Sequence, residues 1–309
     1  MKMIENKYLK TAEVINCLPQ EIRNAVLALD EDKICKMQEI RLSIGCPVMV
    51  YAGGIYFLNS VGTLTKNAGN AIVATAAMVQ KTVEKVCRGS LYSQQSELKC
   101  GFLMMEGGHR VGVCGKTVVR SGKVDLITDI SSINIRIATQ VIGAADKIIN
   151  HIAGGSVANT LIISPPLCGK TTILRDIARQ LAGEKYMLRV GIADERGEIA
   201  AMHKGRPQND VGILSDVYDA CPKSEGITML LRAMAPDVII TDEIGTADDE
   251  QAIKRAINAG VKIICSAHGF DRADVLRREG IGTLIRENVF ERVIILSRRE
   301  GAGTIERIY

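Results

Sequence analysis

Short apolar runs recur through the second half of the chain and alternate with stretches of helical or loop character. The runs cover residues 160–163, 187–193, 238–241, 261–265 and 293–296. Runs that are apolar on both alternating sets of positions indicate strands buried on both faces of a sheet. Their alternation with helical stretches indicates a mostly parallel sheet that is covered by helices. The second half is therefore predicted to be an α/β domain.

The first half has a different pattern. The periodicity over residues 11–29 is helical, with Pro19 suited to a first helical turn and apolar positions close to one face at Ile22, Val26, Leu27 and Leu29. Short β-like runs occupy residues 39–44, 48–51, 55–58, 101–115, 117–120 and 123–127, and an alanine-rich helix is predicted over 71–86. We therefore predict a small α+β domain over residues 1–140 and a second domain over 141–309.

Composition narrows the classes of function. The chain has 309 residues, with 39 basic and 35 acidic side chains, a net charge of +4, 4% aromatic residues and no Trp. Such a balance carries no chain-wide signature of nucleic-acid binding, and scarce aromatic residues argue against platforms for base stacking. No nucleic-acid partner is expected.

The cysteines and the N-terminus bear on the cellular compartment. Nine cysteines occur without a C-x-x-C pair, at Cys17, Cys35, Cys46, Cys87, Cys100, Cys114, Cys168, Cys221 and Cys265. We predict that they are reduced, as in a cytosolic protein. Residues 1–10 lack the apolar core of a signal peptide, and no apolar run reaches the ~18 residues that a membrane span needs. A cytoplasmic location is expected.

A nearly complete phosphate-binding loop follows the first of the apolar runs. In the pattern G-x-x-x-x-G-K-[ST], backbone N–H groups face the phosphates, the lysine reaches the β- and γ-phosphates, and the hydroxyl holds Mg²⁺. The predicted ATP-binding residues are Ser164, Pro165, Pro166, Leu167, Cys168, Gly169, Lys170, Thr171 and Thr172. Ser164 stands where the pattern has its first glycine. Taken alone, the loop leaves a strand, a turn and a helix with a chance Gly-Lys as an alternative.

A second motif favours the functional interpretation. Residues 237–243 (DVIITDE) form a β-branched run that ends in two carboxylates, which is the Walker B arrangement. Ligands bind at the carboxyl ends of strands in open α/β sheets. Asp242 is predicted to hold Mg²⁺ through a water, with the hydroxyl of Thr171 as a direct ligand, and Glu243 to orient and deprotonate the attacking water. An Asp-Glu pair alone would more often begin a solvated loop.

Other charged groups follow neighbouring strands. Asp194 and Glu195 could position water or metal, while Arg196 could touch phosphate or pair structurally with Glu198. His268 follows a later strand and is interpreted as a sensor of the γ-phosphate, with a histidine that satisfies loop carbonyls as the alternative. An arginine commonly stabilises the transferred phosphoryl group, often from a neighbouring subunit. The sequence leaves that choice open among Arg110, Arg136, Arg196, Arg206 and Arg232.

The longer motifs resemble those of the stage III sporulation protein AA family in order and spacing. They are SPPLCGKTT, ADERGEIA, GRPQNDVGILSDVYDACPKSEG, LLRAMAPDVIITDEIG and SAHG, with LPQEIRNAVLAL, EIRLSIGCPVMV and GFLMMEGGHRVGVCG in the first half. The resemblance thus covers nearly the whole chain. More distantly, the Walker B segment and His268 are similar to boxes of type II and type IV secretion ATPases, which resemble RecA-like hexameric motors.

The resemblance implies a RecA-like P-loop NTPase core with a smaller α+β N-terminal domain. It implies an ATPase that uses ATP and Mg²⁺ in the mother cell of endospore-forming bacteria, peripheral at the membrane around the forespore. The implied partners are further copies of the chain, expected as a hexamer, and membrane proteins of the same operon. By matching positions, Asp194 and Glu195 correspond to an acidic box, and Glu195, Glu243 and His268 are the predicted catalytic residues.

Two departures from the family pattern keep rival functions open. Ser164 replaces the usual first glycine of the loop, and residues 213–215 (Ile-Leu-Ser) replace a stretch in which a basic residue is expected. Both changes slightly favour an ATP-binding oligomeric scaffold with little turnover. A nucleic-acid translocase on the same core is the other alternative, and the composition argues against it.

Overall fold

The computed structural model describes residues 11–87, 98, 99 and 101–309. Residues 1–10, for which no signal peptide is predicted, and Cys100 lie outside the described residues. The chain divides into two compact units, Met1–Thr139 and Gln140–Tyr309. All eight described cysteines are free thiols. Within the described part of the chain, no helix is long and apolar enough to span a bilayer.

The first unit is built on a seven-stranded antiparallel sheet with the strand order β4-β3-β2-β1-β7-β6-β5. Its strands are β1 Glu39–Ser43, β2 Met49–Tyr51, β3 Ile55–Leu58, β4 Leu64–Thr65, β5 Phe102–Met105, β6 His109–Arg120 and β7 Lys123–Arg136. The runs predicted as separate short strands beyond residue 115 belong to one long β6–β7 hairpin. The sheet therefore extends further than the apolar pattern indicated.

Helices cover this sheet with one apolar core. Residues 11–17 are helical, and the remaining helices are Gln20–Leu27, Glu31–Lys36 and Ala76–Val86. The helical pattern over 11–29 corresponds to two helices, and Pro19, expected in a first helical turn, is the N-cap residue of the second. Leu27 was assigned to the apolar face but is 51% exposed. The alanine-rich helix starts at Ala76, where the side chain of Thr75 caps it.

The second unit contains the predicted α/β sheet. Seven strands lie in the order β12-β9-β13-β14-β8-β15-β16, and all neighbours are parallel except β15 and β16. The strands are β8 Thr160–Ser164, β9 Val190–Asp194, β12 Ser215–Asp219, β13 Val238–Thr241, β14 Lys262–His268, β15 Arg292–Ser297 and β16 Thr304–Ile308; β10 Met202–His203 and β11 Arg206–Pro207 form a separate ribbon. The mostly parallel sheet predicted from the apolar runs is confirmed.

Helices cover both faces of this sheet, which explains why its central strands are apolar throughout. They are Ile149–Ala153, Lys170–Leu181, Lys223–Ala233, Ala247–Asn258, Arg272–Leu276 and Ile281–Arg286. Along β8, Ile162 packs into the core that includes Ile173 and Ile177, whereas Leu161 and Ile163 pack into a second core on the other face. Burial of both faces stabilises the sheet through the hydrophobic effect.

Strand order brings the predicted site groups together. The four central strands β9, β13, β14 and β8 are adjacent and parallel. Their carboxyl ends therefore lie along one edge of the sheet, although the strands are far apart in sequence. Asp194 and His268 are the last residues of β9 and β14, whereas the sequence pattern had placed both after their strands.

Candidate functional site

The phosphate-binding loop lies between β8 and the helix Lys170–Leu181. Its turn uses positive φ angles at Leu167 (61°) and Gly169 (85°). Ser164 is the last residue of β8, and its φ angle is not positive. The serine is therefore compatible with the backbone, because the loop requires glycine-like geometry at Gly169 and not at its first position.

Lys170 is held inside this loop. Its Nζ donates to the backbone oxygens of Ser164 and Pro165, at 3.1 Å each, and lies 3.3 Å from the Ser164 hydroxyl. The side chain is buried, and desolvation lowers its pKa, although the negative charge of Glu243 counteracts this shift. In this arrangement the loop carbonyls satisfy the ammonium group.

The turn between β15 and β16 packs against the same loop. The backbone N–H of Gly303 donates to the carbonyl of Cys168 over 2.9 Å. A Cβ atom at Gly169 would lie 3.2 Å from the nitrogen of Gly303, so a side chain there would push the two segments apart. The buried thiol of Cys168 lies 3.6 Å from the Pro166 carbonyl, whereas Leu167 is 77% exposed. Thr171 and Thr172 are half-buried in the first helical turn.

Asp242 follows β13 as a deeply buried carboxylate. It is 1% exposed, and its Oδ1 atom has no hydrogen-bond partner among the described residues. Burial, reinforced by the charge of Asp194, raises its pKa to about 6. Buried carboxylate oxygens are normally paired or bound to a metal. An oxygen donor of this kind suits Mg²⁺. Within the described residues, no cluster of three His, Cys, Asp or Glu side chains forms a protein-only metal site.

Glu243 has an unusual backbone and two charged or polar partners. Its φ angle is 35°, a region that L-residues rarely adopt and that is common at functional sites. The carboxylate forms an ion pair with Arg196 through Oε2, and its Oε1 lies 2.7 Å from Nε2 of His268. Its backbone N–H donates to the hydroxyl of Ser266 over 3.1 Å. Both carboxylate oxygens are thus engaged.

A continuous chain of contacts crosses the four central strands. It runs from Arg196 to Glu243, then to His268, whose Nδ1 lies 3.2 Å from Nζ of Lys170. Because the lysine ammonium can only donate, Nδ1 accepts and the proton on Nε2 faces Glu243, which assigns the tautomer of a neutral imidazole. Lys170, Glu243 and His268 are therefore brought together, as expected from their positions at strand ends.

The acidic segment after β9 is divided between two environments. Asp194 is fully buried and accepts backbone N–H groups of Glu198, Ile199 and Ala200 at 2.8–3.0 Å. Although these bonds favour the charged form, burial has the larger effect and raises its pKa. Asp194 therefore anchors the loop. Arg196 pairs with Glu243 and not with Glu198, which was the structural alternative.

The partner of Glu195 is a residue that the sequence analysis did not single out. It forms an ion pair with Lys223, at the start of the helix Lys223–Ala233. A basic residue in a first helical turn opposes the helix dipole, and this was the available signal. Ser266, which supports Glu243, was also missed; its signal is a polar residue within the apolar strand β14.

The other candidate arginines lie in different environments. In the first unit, Arg110 stacks 3.8 Å from the ring centroid of Phe102, and Arg136 ends β7. In the second unit, Arg206 is exposed in β11, and Arg232 lines a cleft of about 400 Å³ together with Arg255. Of the three candidates in the second unit, Arg196 is the one that contacts the site described above.

Solved structures with the same fold include an ATPase and a pilus retraction motor. The ATPase DotB of Legionella pneumophila aligns with a TM-score of 0.54 and 16% identity, covering 86% of this chain and 73% of that chain. The pilus retraction motor PilT, solved with bound ADP, aligns with a TM-score of 0.57 and 15% identity, covering 89% and 76%. The second unit thus has the fold of a RecA-like P-loop NTPase core, and the first is the smaller α+β domain.

Sequence comparisons place the chain in a family. A curated relative, stage III sporulation protein AA of Bacillus subtilis (strain 168), is 40% identical over 301 residues, which cover 96% of this chain and 94% of the relative. The family model described as sporulation stage III, protein AA matches residues 8–309. The resemblance inferred from the motifs is confirmed, and the chain belongs to the stage III sporulation protein AA family.

Proposed function

We propose that this chain is a Mg²⁺-dependent ATPase that powers a secretion-like membrane assembly during endospore formation. One observation carries the proposal. A single imidazole, that of His268, is contacted on one side by the phosphate-loop lysine Lys170 and on the other by Glu243, the acid after β13. An ATP-hydrolysing site needs a phosphate-binding cation and a water-activating base in close proximity, and this contact links the two.

The donor set is suited to Mg²⁺. Thr171 and Asp242 would hold the ion, with Asp242 acting through a water, and the unbonded Oδ1 of Asp242 is the observation that supports this assignment. When bound, Mg²⁺ neutralises charge on the phosphate oxygens. The pKa of Asp242 is raised to about 6 by burial of the carboxylate and, secondarily, by the charge of Asp194.

The residues of the loop and of the contact chain have separate roles. Backbone N–H groups of Gly169 to Thr172 bind phosphate, and Lys170 exchanges the carbonyls of Ser164 and Pro165 for phosphate oxygens. That movement removes the donor from Nδ1 of His268, so the imidazole registers the arrival of phosphate. Glu243 accepts the proton of the attacking water once an oxygen is released from its present partners. Glu195, in the acidic segment after β9, helps to position the attacking water.

The cellular setting of the proposal rests on the family. We infer a peripheral mother-cell protein at the membrane around the forespore, acting with membrane proteins of the same operon. The assembly is a homo-oligomer, expected to be a hexamer with nucleotide at the subunit interfaces. An arginine from a neighbouring subunit then completes the site, because charge on the γ-phosphoryl group needs a further cation.

ATP turnover of the full chain across a concentration series tests the proposal, with oligomer mass recorded at each point. We expect turnover to rise with assembly. Lys170→Ala removes the phosphate-binding cation and Glu243→Gln removes the base, so turnover falls about 100-fold or more in each, while Glu243→Gln still binds ATP. The matched control Lys254→Ala removes a lysine that pairs with Glu250 and Glu287 and leaves turnover unchanged.

One rival has specific support. Both oxygens of Glu243 are engaged, by Arg196 and His268, and a base held in this way suits an ATP-binding scaffold with little turnover. The scaffold assembles with ATP and shows no Mg²⁺-dependent turnover at any chain concentration, even with its membrane partners present. Stimulation of turnover by single- or double-stranded nucleic acid would instead favour a translocase.

A further inference from the structure

Lys223 is a lysine in an unusual place. Its side chain is 11% exposed, and it forms an ion pair with Glu195, whose side chain is 39% exposed. Long lysine side chains usually keep their ammonium group in water, so a lysine withdrawn to this extent requires a compensating partner. Glu195 is that partner, and it lies at the carboxyl end of β9 in the acidic segment of the proposed site.

The helix that carries Lys223 is brought close to β9 by small residues. At Gly226, one turn after Lys223, an added Cβ would lie 3.1 Å from the Cβ of Ala193. At Gly191, an added Cβ would lie 2.9 Å from the side chain of Leu230. The absence of side chains at these glycines allows the helix to pack closely on the strand. Lys223 is thereby directed to the residues that follow Ala193.

Helix energetics do not explain a lysine at this position. The first turn of a helix carries partial positive charge, so a basic residue there is unfavourable and an acidic one is favoured. Residue 222 is a proline, and its side chain offers no capping hydrogen bond. The unfavourable placement is explained if the ammonium group serves the acidic cluster at the strand ends.

The charge of Lys223 also reaches the proposed metal-binding acid. Burial and the charge of Asp194 raise the pKa of Asp242, and Lys223 is the neighbouring cation that opposes the rise. Glu195, the partner of Lys223, and Asp242 follow the adjacent strands β9 and β13.

From this geometry we infer that Lys223 is a positioning residue of the ATPase site, holding Glu195 at the carboxyl edge of the sheet beside Asp242. The inference rests on the proposed function and adds to it a residue in the same subunit. Lys223 acts through Glu195, and within the described residues it forms no hydrogen bond or ion pair with the phosphate loop or with Glu243. Lys223 thus fixes the position of the Glu195 carboxylate when ATP and water are bound.

Steady-state ATP turnover of the assembled full chain, with Mg²⁺ in excess, tests this role. Lys223→Met keeps the aliphatic bulk and removes the charge. We expect kcat to fall about 10-fold with KM for ATP within about twofold, because misplacing a catalytic group affects the chemical step more than binding. Lys223→Arg, which keeps the charge, retains more activity than Lys223→Met.

A double-mutant cycle separates positioning from simple stabilisation. If Lys223 acts through Glu195, the variant with both Lys223→Met and Glu195→Gln loses no more kcat than the more affected single variant. Independent, multiplying losses would overturn the inference. Lys254→Met is the matched control for loss of a lysine–glutamate ion pair, and its kcat stays unchanged. Glu195→Gln removes the same ion pair and leaves the packing of the helix intact. Its kcat therefore tests the role of the pair even if Lys223→Met lowers the unfolding temperature.

The outcomes distinguish this inference from the proposed function. Mg²⁺-dependent turnover in the unsubstituted chain, together with a kcat for Lys223→Met equal to that of Lys254→Met, overturns the role of Lys223 alone. No turnover in the unsubstituted chain under any assembly condition overturns the proposed ATPase and the role of Lys223 with it. A selective loss of kcat that is non-additive with Glu195→Gln supports both.

Discussion

Nε2 of His268 lies 2.7 Å from Oε1 of Glu243, while Nδ1 of the same ring lies 3.2 Å from Nζ of Lys170. The imidazole therefore joins the phosphate loop to the acid after β13. Because its two nitrogens have opposite hydrogen-bonding roles in the neutral ring, a change at Lys170 alters the donor that reaches Glu243. This relationship makes His268 a means of coupling phosphate binding to the proposed base.

Replacement of His268 by alanine is expected to lower kcat about 10- to 100-fold while ATP binding changes little, because the base loses the donor that orients it. His268→Asn retains a donor and is expected to lose less. Turnover and ATP binding measured on the same preparations check this split. His151→Ala serves as control, since His151 is exposed and Arg292 contacts its backbone carbonyl, which the substitution keeps. Equal losses of binding and turnover would contradict a role for His268 in coupling.

Arg196→Ala is expected to raise the basal turnover of the chain about two- to fivefold. The ion pair with Arg196 occupies Oε2 of Glu243, and a half-exposed pair of this kind contributes up to about 1 kcal/mol. Its loss frees this oxygen to accept the proton of the attacking water. Arg189→Ala, which removes the ion pair with Asp237, the residue before β13, is the control. A drop in turnover below that of the control would show that Arg196 holds Glu243 in its productive position.

As the pH rises from about 4 to about 6, the free energy of unfolding of the second unit is expected to fall because of Asp242. Burial raises the pKa of this acid from 3.8 to about 6, so the folded state binds the proton more tightly than the unfolded chain. That contribution is present at low pH and is lost as pH rises through the window, by about 3 kcal/mol. Asp194, whose pKa is also raised, acts in the same direction, whereas Asp176, whose pKa is lowered, acts oppositely.

Asp242→Asn isolates this contribution, because asparagine resembles the neutral acid. Without Mg²⁺, the variant should gain unfolding temperature relative to the unsubstituted chain at pH 7.5 and not at pH 4.5. Addition of Mg²⁺ at pH 7.5 should stabilise the unsubstituted chain and leave Asp242→Asn unaffected, since ligand binding stabilises only the state that binds. A pH-independent difference between the two proteins would be inconsistent with a buried, titrating Asp242. Scanning calorimetry provides the measurement.

Gly169→Ala is expected to destabilise the second unit by about 1–2 kcal/mol and to weaken ATP binding. The residue has φ 85°, which costs an L-residue about this much, and its Cβ would approach the nitrogen of Gly303. Gly155→Ala is the matched control, because that glycine has open space around it and a φ angle outside the positive range. Unfolding temperature and ATP affinity are the measurements. Equal effects of the two substitutions would show that the conformation of Gly169 is not required.

The sequence was a good guide where a short segment carries its own signal. The runs that became β8 and β13 are apolar on both faces, and the phosphate loop and the paired acids follow them directly. Edge strands were missed because their sequences, SDVYD in β12 and TIERI in β16, mix polar and apolar residues. Near Pro19 the apolar period continues, although the helical backbone is interrupted there.

The amino-acid order by itself determined the fold class, the family, and the chemical groups at the carboxyl ends of the central strands. These properties follow from local periodicity and from motifs of adjacent residues. Only the tertiary structure decided that Arg196 pairs with Glu243, that His268 joins Glu243 to Lys170, and that Lys223 meets Glu195. Such contacts depend on the order β9-β13-β14-β8 and on close helix packing at Gly226, and burial of both sheet faces establishes that arrangement through residues distant in sequence.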